Sequence, residues 1–344
     1  MEKSRNFARG FFYYLVEQAI QQTNIRKGLT KLVIPIFIET LLIMMLGAVD
    51  TIMLSQYSDE SVAAVGVVNQ IVMFAFLVFE VINIGTSVLC SQYLGAKMQK
   101  NMIQVVGVSL LLNLVVGVLI SIILHFGATT LLGWMGLRPE LLKYGIGYME
   151  IVGAFAFFQA ISLTISASLR SANKAIYPML VTVLVNIMNI VGNYSLIFGK
   201  FGLPALGIAG AAMATAMGQI IGGTIPLVYF LRKNSSSLRL RRPKWDGGAL
   251  RRACTNGVSE LMSSISMSIV GMLYNAQLMR YAGENGVAAY GTIMYVDFIF
   301  LAIFIGYATG VAPVISYHYG AGNKKELNNL LKRSVVLIAA ASLS

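Results

Sequence analysis

The stretch Leu32-Val-Ile-Pro-Ile-Phe-Ile-Glu-Thr-Leu-Leu-Ile-Met-Met-Leu-Gly-Ala-Val-Asp-Thr-Ile-Met-Leu54 decides the class of fold. It holds 21 uncharged residues in 23, and a helix needs ~20 mostly apolar residues to cross a bilayer. Similar runs follow at about 65–90, 103–133, 146–168, 176–199, 207–231, 255–280, 288–317 and 331–344. The composition agrees. Of 344 residues, 57% are apolar and 12% charged, against roughly 45–50% and 25% in soluble domains. The mean hydropathy is +0.73. A soluble enzyme, a disordered chain, a secreted disulfide scaffold and a collagen-like fibre are excluded. The two cysteines, Cys90 and Cys254, make no disulfide frame. Backbone polar groups in lipid must be satisfied within their own segment, so the spans are helices. The expected fold is all-α: a polytopic membrane protein.

Residues 1–27 are not a signal peptide, because the run Phe11-Phe-Tyr-Tyr-Leu-Val16 is short and ends at Glu17. Phe7, Phe11, Phe12, Leu15 and Val16 fall at helical spacing, which suits a cytoplasmic amphipathic segment on the membrane surface, with a frayed tail as the alternative. A first lobe of six spans is expected over 28–231. A basic linker follows over 232–252, with Arg232, Lys233, Arg239, Arg241, Arg242, Lys244, Arg251 and Arg252. Residues 253–344 hold the start of a second lobe. Its last span breaks off at Ser344 within an apolar run, so the chain is read as C-terminally truncated. The net charge of +12 lies in loops between spans. Lys97 and Lys100, Arg170 and Lys174, the linker, and Lys324 and Lys325 fall on one side, while Arg138, Lys143, Lys200 and Arg280 fall on the other. This bias puts the N-terminus in the cytoplasm and removes nucleic acid as the explanation of the charge.

An internal repeat joins the lobes. Val62-Ala-Ala-Val-Gly66 matches Val287-Ala-Ala-Tyr-Gly291 at an offset of 225. Without a gap, the same offset pairs Phe79 with Phe304, Gly85 with Gly310, Ser91 with Ser316, Gly95-Ala96 with Gly320-Ala321, and Lys100 with Lys325. A unit of six spans keeps its orientation when repeated, so this is a parallel repeat about the membrane normal, a transporter signature.

Charged groups at membrane depth cost ~2.5–3.5 kcal/mol on insertion scales and mark functional candidates. Glu39 and Asp50 share the first span. They lie eleven residues apart, three turns plus ~20°, so both face one way about 16 Å apart. Asp50 could instead cap or pair near the helix end. Asn186, Asn189 and Asn193 line one face of the fifth span. Three amides in a row could coordinate an ion or hold a carboxylate, or serve as glue between helices. Gln70 and Glu80, with Asn69 and Asn83, make the second span polar. Glu260 sits in a serine-rich stretch of the seventh span, and Asp297 lies in the eighth. No P-loop, metal-spaced His/Cys cluster or Ser-His-Asp arrangement is present, so neither an enzyme nor an ATP-driven pump is expected.

These segments resemble the multidrug and toxic compound extrusion (MATE) family. The carrying motifs begin with Pro35 through Val49-Asp-Thr-Ile-Met53, Val62-Ala-Ala-Val-Gly66 and Gln92-Tyr-Leu-Gly-Ala96. Leu169-Arg-Ser-Ala-Asn173 with Pro178, Asn189 to Phe198 with Gly199-Lys-Phe-Gly202, and Gly207 to Thr215 complete the first lobe. Asn256-Gly-Val-Ser-Glu260 and Val287-Ala-Ala-Tyr-Gly291 belong to the second.

The resemblance implies two six-helix lobes in a V and an antiporter that exchanges Na+ or H+ for organic, often cationic and amphiphilic compounds. It places Asp50 in the first-lobe ion site. A second Asp found in proton-coupled members is replaced here by Asn193. Glu260 is the nearest candidate for the second-lobe Na+ site. The expected ion-coupling residues are therefore Asp50, Asn189, Asn193 and Glu260. Glu39, Gln70, Glu80, Asn186 and Asp297 are the cavity candidates. A proton or Na+ can neutralise such carboxylates, so both are kept as coupling ions, with no other cofactor. The resemblance further implies a monomer in a bacterial-type plasma or inner membrane. The alternatives are a lipid-linked oligosaccharide flippase of the same superfamily and a non-transporting fragment.

Overall fold

The structure, a computed structural model, describes the backbone of residues 25–232 and 247–342. Side chains are described over 32–232, at most positions of 247–281, at Tyr290, and over 304–339. The expected amphipathic segment at 1–27 and most of the linker lie outside the described residues. The described residues form ten helices and no strand: α1 Ile25–Ser55, α2 Asp59–Gly95, α3 Gln99–Phe126, α4 Ala128–Trp134, α5 Pro139–Ala154, α6 Ala156–Ser171, α7 Ile176–Phe198, α8 Ile208–Leu231, α9 Gly247–Gly320 and α10 Lys324–Ser342.

Local chemistry sets the ends. Ser58 accepts the Ser61 N–H at 3.3 Å, and Asp59 and Glu60 fill the first turn of α2, where the helix dipole favours negative charge. Pro139 opens α5, where its missing N–H is harmless. Gly199, at φ +66°, closes α7 in the left-handed conformation.

Among the described residues, five helices are long and apolar enough to span a membrane: Leu32–Ser55 of α1, then α2, α3, α7 and α8. The pair α5 and α6, meeting at 48°, makes a sixth. Two expectations change here. The third span ends at Phe126 rather than near 133, because Gly127 stops α3 and the short α4 follows. The fourth span, read as straight over 146–168, is broken at Phe155. A break in lipid must have its freed backbone groups satisfied. Here α3 does so: Ser121 Oγ accepts the Phe157 N–H at 3.1 Å, and His125 Nδ1 lies 2.9 Å from the Glu150 carbonyl.

The 74-residue α9 is one helical run, but it is not straight. The rings of Tyr274 and Tyr290 stack 5.8 Å apart, where a straight helix would separate them by ~24 Å along its axis. Gly85 packs on Ala253, and Gly95 packs on Tyr317. Partners ten residues apart on α2 thus meet positions 64 apart on α9, so α9 turns back between Tyr274 and Tyr290. The spans expected at 255–280 and 288–317 are its two legs.

The lobes meet reciprocally. A Cβ on Gly95 would overlap the Tyr317 carbonyl oxygen, and one on Gly320 would overlap that of Gln92. Gly95 and Gly320, like Gln92 and Tyr317, are mates at the offset of 225. Gly310 rests on Val33 and Gly306 on Phe37, so α1 joins the contact. All these positions lie in the halves of the helices nearer the basic loops. Toward the opposite side, Ile43, Met45, Ile52, Met73 and Phe74 are exposed, and Gly47, Gly66 and Gly271 face open space. The lobes touch on the basic side and diverge away from it.

The core of the first lobe has two layers. One gathers Val68, Leu132, Met149 and Ala212 on the side away from the basic loops, and the other gathers Met102, Ile165 and Phe230 nearer to them. A polar triad lies between these layers on α2 and α3 and beside the second of them on α6. Asn113 Nδ2 donates to Asn83 Oδ1 and to Thr164 Oγ1, both at 2.7 Å. Such bonds tie helices together where hydrophobic driving force between them is absent.

Candidate functional site

Asp50 lies three residues before Met53 near the end of α1, half-buried against α7. Its carboxylate Oδ1 accepts a hydrogen bond from Asn193 Nδ2 at 2.7 Å. The same amide donates to Asn189 Oδ1 at 2.8 Å. Asn189 Nδ2 reaches Thr215 Oγ1 of α8 at 3.5 Å. Tyr148 of α5 hydrogen-bonds Thr215 and lies within electrostatic reach of Asp50. Four helices therefore converge on one carboxylate. Asn189 and Asn193 are 3% and 1% exposed, one helical turn apart on the inward face of α7. Ile187, Val191 and Tyr194 occupy the exposed face of the same helix.

One acceptor in this cluster is unused. Asn193 Oδ1 is buried and has no hydrogen-bond partner. It stands beside a carboxylate, with the amide and hydroxyl oxygens of Asn189 and Thr215 in the next shell. A set of carboxylate, amide and hydroxyl oxygens suits a hard cation, and a carboxylate with a spare acceptor beside it also suits a proton. No group of three His, Cys, Asp or Glu among the described residues makes a conventional metal cluster.

Glu39, three turns away on the same face of α1, meets a different environment. It is 4% exposed and its Oε2 pairs with Arg170 Nη1 of α6 at 3.2 Å. Arg170 comes from the end of its helix, as the sequence indicates, but its guanidinium reaches inward. Asn186 donates to the Leu42 carbonyl at 2.8 Å and binds α7 to α1. Gln70 is exposed on α2, and Glu80 is half-buried and engaged by neighbouring groups. Glu260 and Asp297 belong to α9, but their side chains lie outside the described residues. The structure thus brings together Asp50, Asn189 and Asn193, and sets Glu39 and Asn186 in contacts of their own.

Thr215 and Tyr148 join the cluster unannounced. Thr215 ends the Gly207–Thr215 motif, where the small residues signalled close helix packing, and a hydroxyl there drew no separate notice. Tyr148 carried no pattern signal. Asn113 and Thr164 could have been found by the rule used for the acids, since Asn113 is a polar group in the middle of an apolar span.

The helices and their inward polar groups define a multi-pass helical membrane protein. The MatE family model matches residues 35–195 and 261–344. The chain belongs to the MatE family. It is 42% identical over 208 residues to YisQ of Bacillus subtilis, named as a transporter, an overlap of 60% of this chain and 46% of that protein. It is 27% identical to NorM of Thermotoga maritima, named for multidrug resistance, over 95% of this chain and 70% of NorM. It is 25% identical to the multidrug export protein MepA of Staphylococcus saprophyticus, over 92% of this chain and 70% of MepA. A structure titled as the outward-facing conformation of a MATE multidrug resistance transporter superposes with a TM-score of 0.85 at 25% identity, covering 92% of this chain and 70% of that one. A Pyrococcus furiosus transporter of the MOP superfamily shares the fold, with a TM-score of 0.86 at 24% identity over 94% of this chain and 71% of that one. The chain spans about 70% of the length of NorM and MepA and matches less than half of YisQ.

Proposed function

We propose that this protein is a secondary antiporter that exports organic, often cationic and amphiphilic compounds in exchange for Na+ or H+. The observation that carries the reading is the Asp50 carboxylate, fixed by Asn193 and set beside that residue's unused carbonyl oxygen. NorM and MepA, by their names, support multidrug compounds as the cargo class.

In this reading the N-terminus is cytoplasmic and the chain acts as a monomer. Substrate enters between the lobes from the cytoplasm or the adjoining leaflet. The lobes rock about their contact on the basic side. A cation then binds Asp50 with Asn193, Asn189 and Thr215. The amide of Asn193 must turn to offer its oxygen, which releases its bonds to Asp50 and Asn189. That change alters how α1 packs on α7 and favours release of the cargo. Glu260 would supply the second-lobe counterpart.

The test is ethidium efflux from proteoliposomes driven by an imposed Na+ or proton gradient. The full chain should export in one of the two gradients, and Asp50→Asn should reduce this to background while its yield and thermal unfolding stay as in the parent. Normal efflux by Asp50→Asn would remove the site assignment. Absence of efflux by the parent chain in either gradient would favour a non-transporting fragment.

A further inference from the structure

A cleft opens on the first lobe far from Asp50, between α6, α7 and α8. Its volume is about 260 Å³, slightly under the ~300–1,000 Å³ of sites for drug-sized ligands. Leu169, Val181 and Pro226 line it along with Leu184 and Ile225. Pro226 has no N–H to donate within α8, so the helix ladder is interrupted beside the cleft. Leu180, Leu184 and Ile225 are 54%, 41% and 40% exposed, so the cleft communicates with the surface that faces lipid. It offers no carboxylate or amide to orient a polar ligand. Its chemistry fits hydrocarbon.

The mouth has a different character. Tyr177 and Tyr229 face each other across it with ring centroids 5.0 Å apart. Lys174 Nζ stands over the Tyr177 ring at 5.8 Å, its stem held against the aromatic face. Arg232 follows α8 directly, three residues after Tyr229, and is exposed. A cleft for hydrocarbon with Lys174 stacked on one of its lining rings, and Arg232 at the end of the helix that supplies Tyr229, is complementary to one molecule: a lipid with a negative headgroup.

We infer that this cleft holds an acyl chain of an anionic phospholipid from the leaflet on the basic side, with its phosphate held by Lys174 and Arg232. The site is distinct from the antiport site and does not depend on the transport reading. A lipid seated here would brace α7, the helix that carries Asn189 and Asn193, from its outer face.

Native mass spectrometry of the full chain in detergent, titrated separately with dioleoylphosphatidylglycerol and dioleoylphosphatidylcholine, tests this. The parent should retain phosphatidylglycerol about thirty-fold better than phosphatidylcholine, as two basic residues at the membrane surface imply. Leu184→Trp, which fills the cleft from an exposed position, should lower retention of both lipids. The double substitution Lys174→Gln with Arg232→Gln should bring phosphatidylglycerol down to the phosphatidylcholine level and leave the latter unchanged. Equal retention of the two lipids by the parent would overturn the inference, as would undiminished phosphatidylglycerol binding by Leu184→Trp or by the double variant. Unchanged thermal unfolding without lipid shows that each variant is folded.

Discussion

Glu39 and Asp50 stand on one face of one helix, and the fold treats them oppositely. Glu39 is sealed and neutralised by Arg170 at 3.2 Å. Asp50 is half-buried, held by an amide, and has an unpartnered carbonyl at its side. An ion pair neutralises a carboxylate and leaves it little charge for a cation. An amide satisfies it in part and leaves its charge for a cation. The same residue class at the same helical angle is therefore structural in one place and a candidate coupling group in the other, and the partner makes the difference.

The strongest test of that contrast is at Asp50 itself, where Asn substitution should abolish gradient-driven efflux without loss of fold. Glu39→Gln should act the other way round. It leaves a largely buried guanidinium without its counter-charge, and breaking such a pair costs about 3 kcal/mol. The expected outcome is a marked fall in the thermal unfolding temperature, with efflux per folded molecule kept. The double variant Glu39→Met with Arg170→Met should regain most of the stability, because it leaves no lone charge behind. A Glu39→Gln protein that unfolds like the parent yet fails to transport would place Glu39 with Asp50 and break the contrast.

A second comparison is between the lobes. Gly95 and Gly320 each face the backbone of the other repeat, so Gly95→Val and Gly320→Val should each lose about 2 kcal/mol through overpacking. Thermal unfolding of the two variants measures this. A large effect from only one of them would mean that the contact is not reciprocal. The smallest effect is expected at Asn189, whose bond to Thr215 is long, at 3.5 Å. Asn189→Ala removes bonds worth ~0.6 kcal/mol each in membrane bundles. The cation concentration for half-maximal efflux should rise about eight-fold, matching the ~1.2 kcal/mol of its two bonds. A complete loss would make Asn189 indispensable to the site rather than one ligand among several.

Much of the fold was legible because lipid imposes a simple rule. Apolar runs of sufficient length marked six spans of the first lobe, and the offset of 225 paired Gly95 with Gly320, although that each sits against the other repeat was decided only by the packing. The break at Phe155 was not legible. Hydropathy averages over a window, and the groups that make the break tolerable, Ser121 and His125, sit on another helix. The turn within α9 falls between Tyr274 and Tyr290, an interval that contains the gap between the apolar runs at 255–280 and 288–317.

The site was legible in part. Asp50, Asn189 and Asn193 stood out as polar groups at membrane depth on matching helix faces. Thr215 and Tyr148 did not, because hydroxyls are common in apolar helices and only proximity gives them a role. The row of three amides also divided in the structure: Asn189 and Asn193 joined Asp50, while Asn186 bonded the Leu42 backbone.

By itself, the sequence determined that this chain lies in a membrane as helices, which of its residues are too polar to face lipid, and that its two parts are copies of one unit. These follow from burial cost and periodicity, which are properties of single segments. Tertiary structure alone decided which acid met an arginine and which met an amide, where α6 breaks from α5, and which glycines touch across the lobes. Those outcomes depend on side chains far apart in the sequence, more than a hundred residues for Glu39 and Arg170 or Asp50 and Asn193 and 36 for Ser121 and Phe157. No local pattern encodes the choice of partner, because it is made by how whole helices pack.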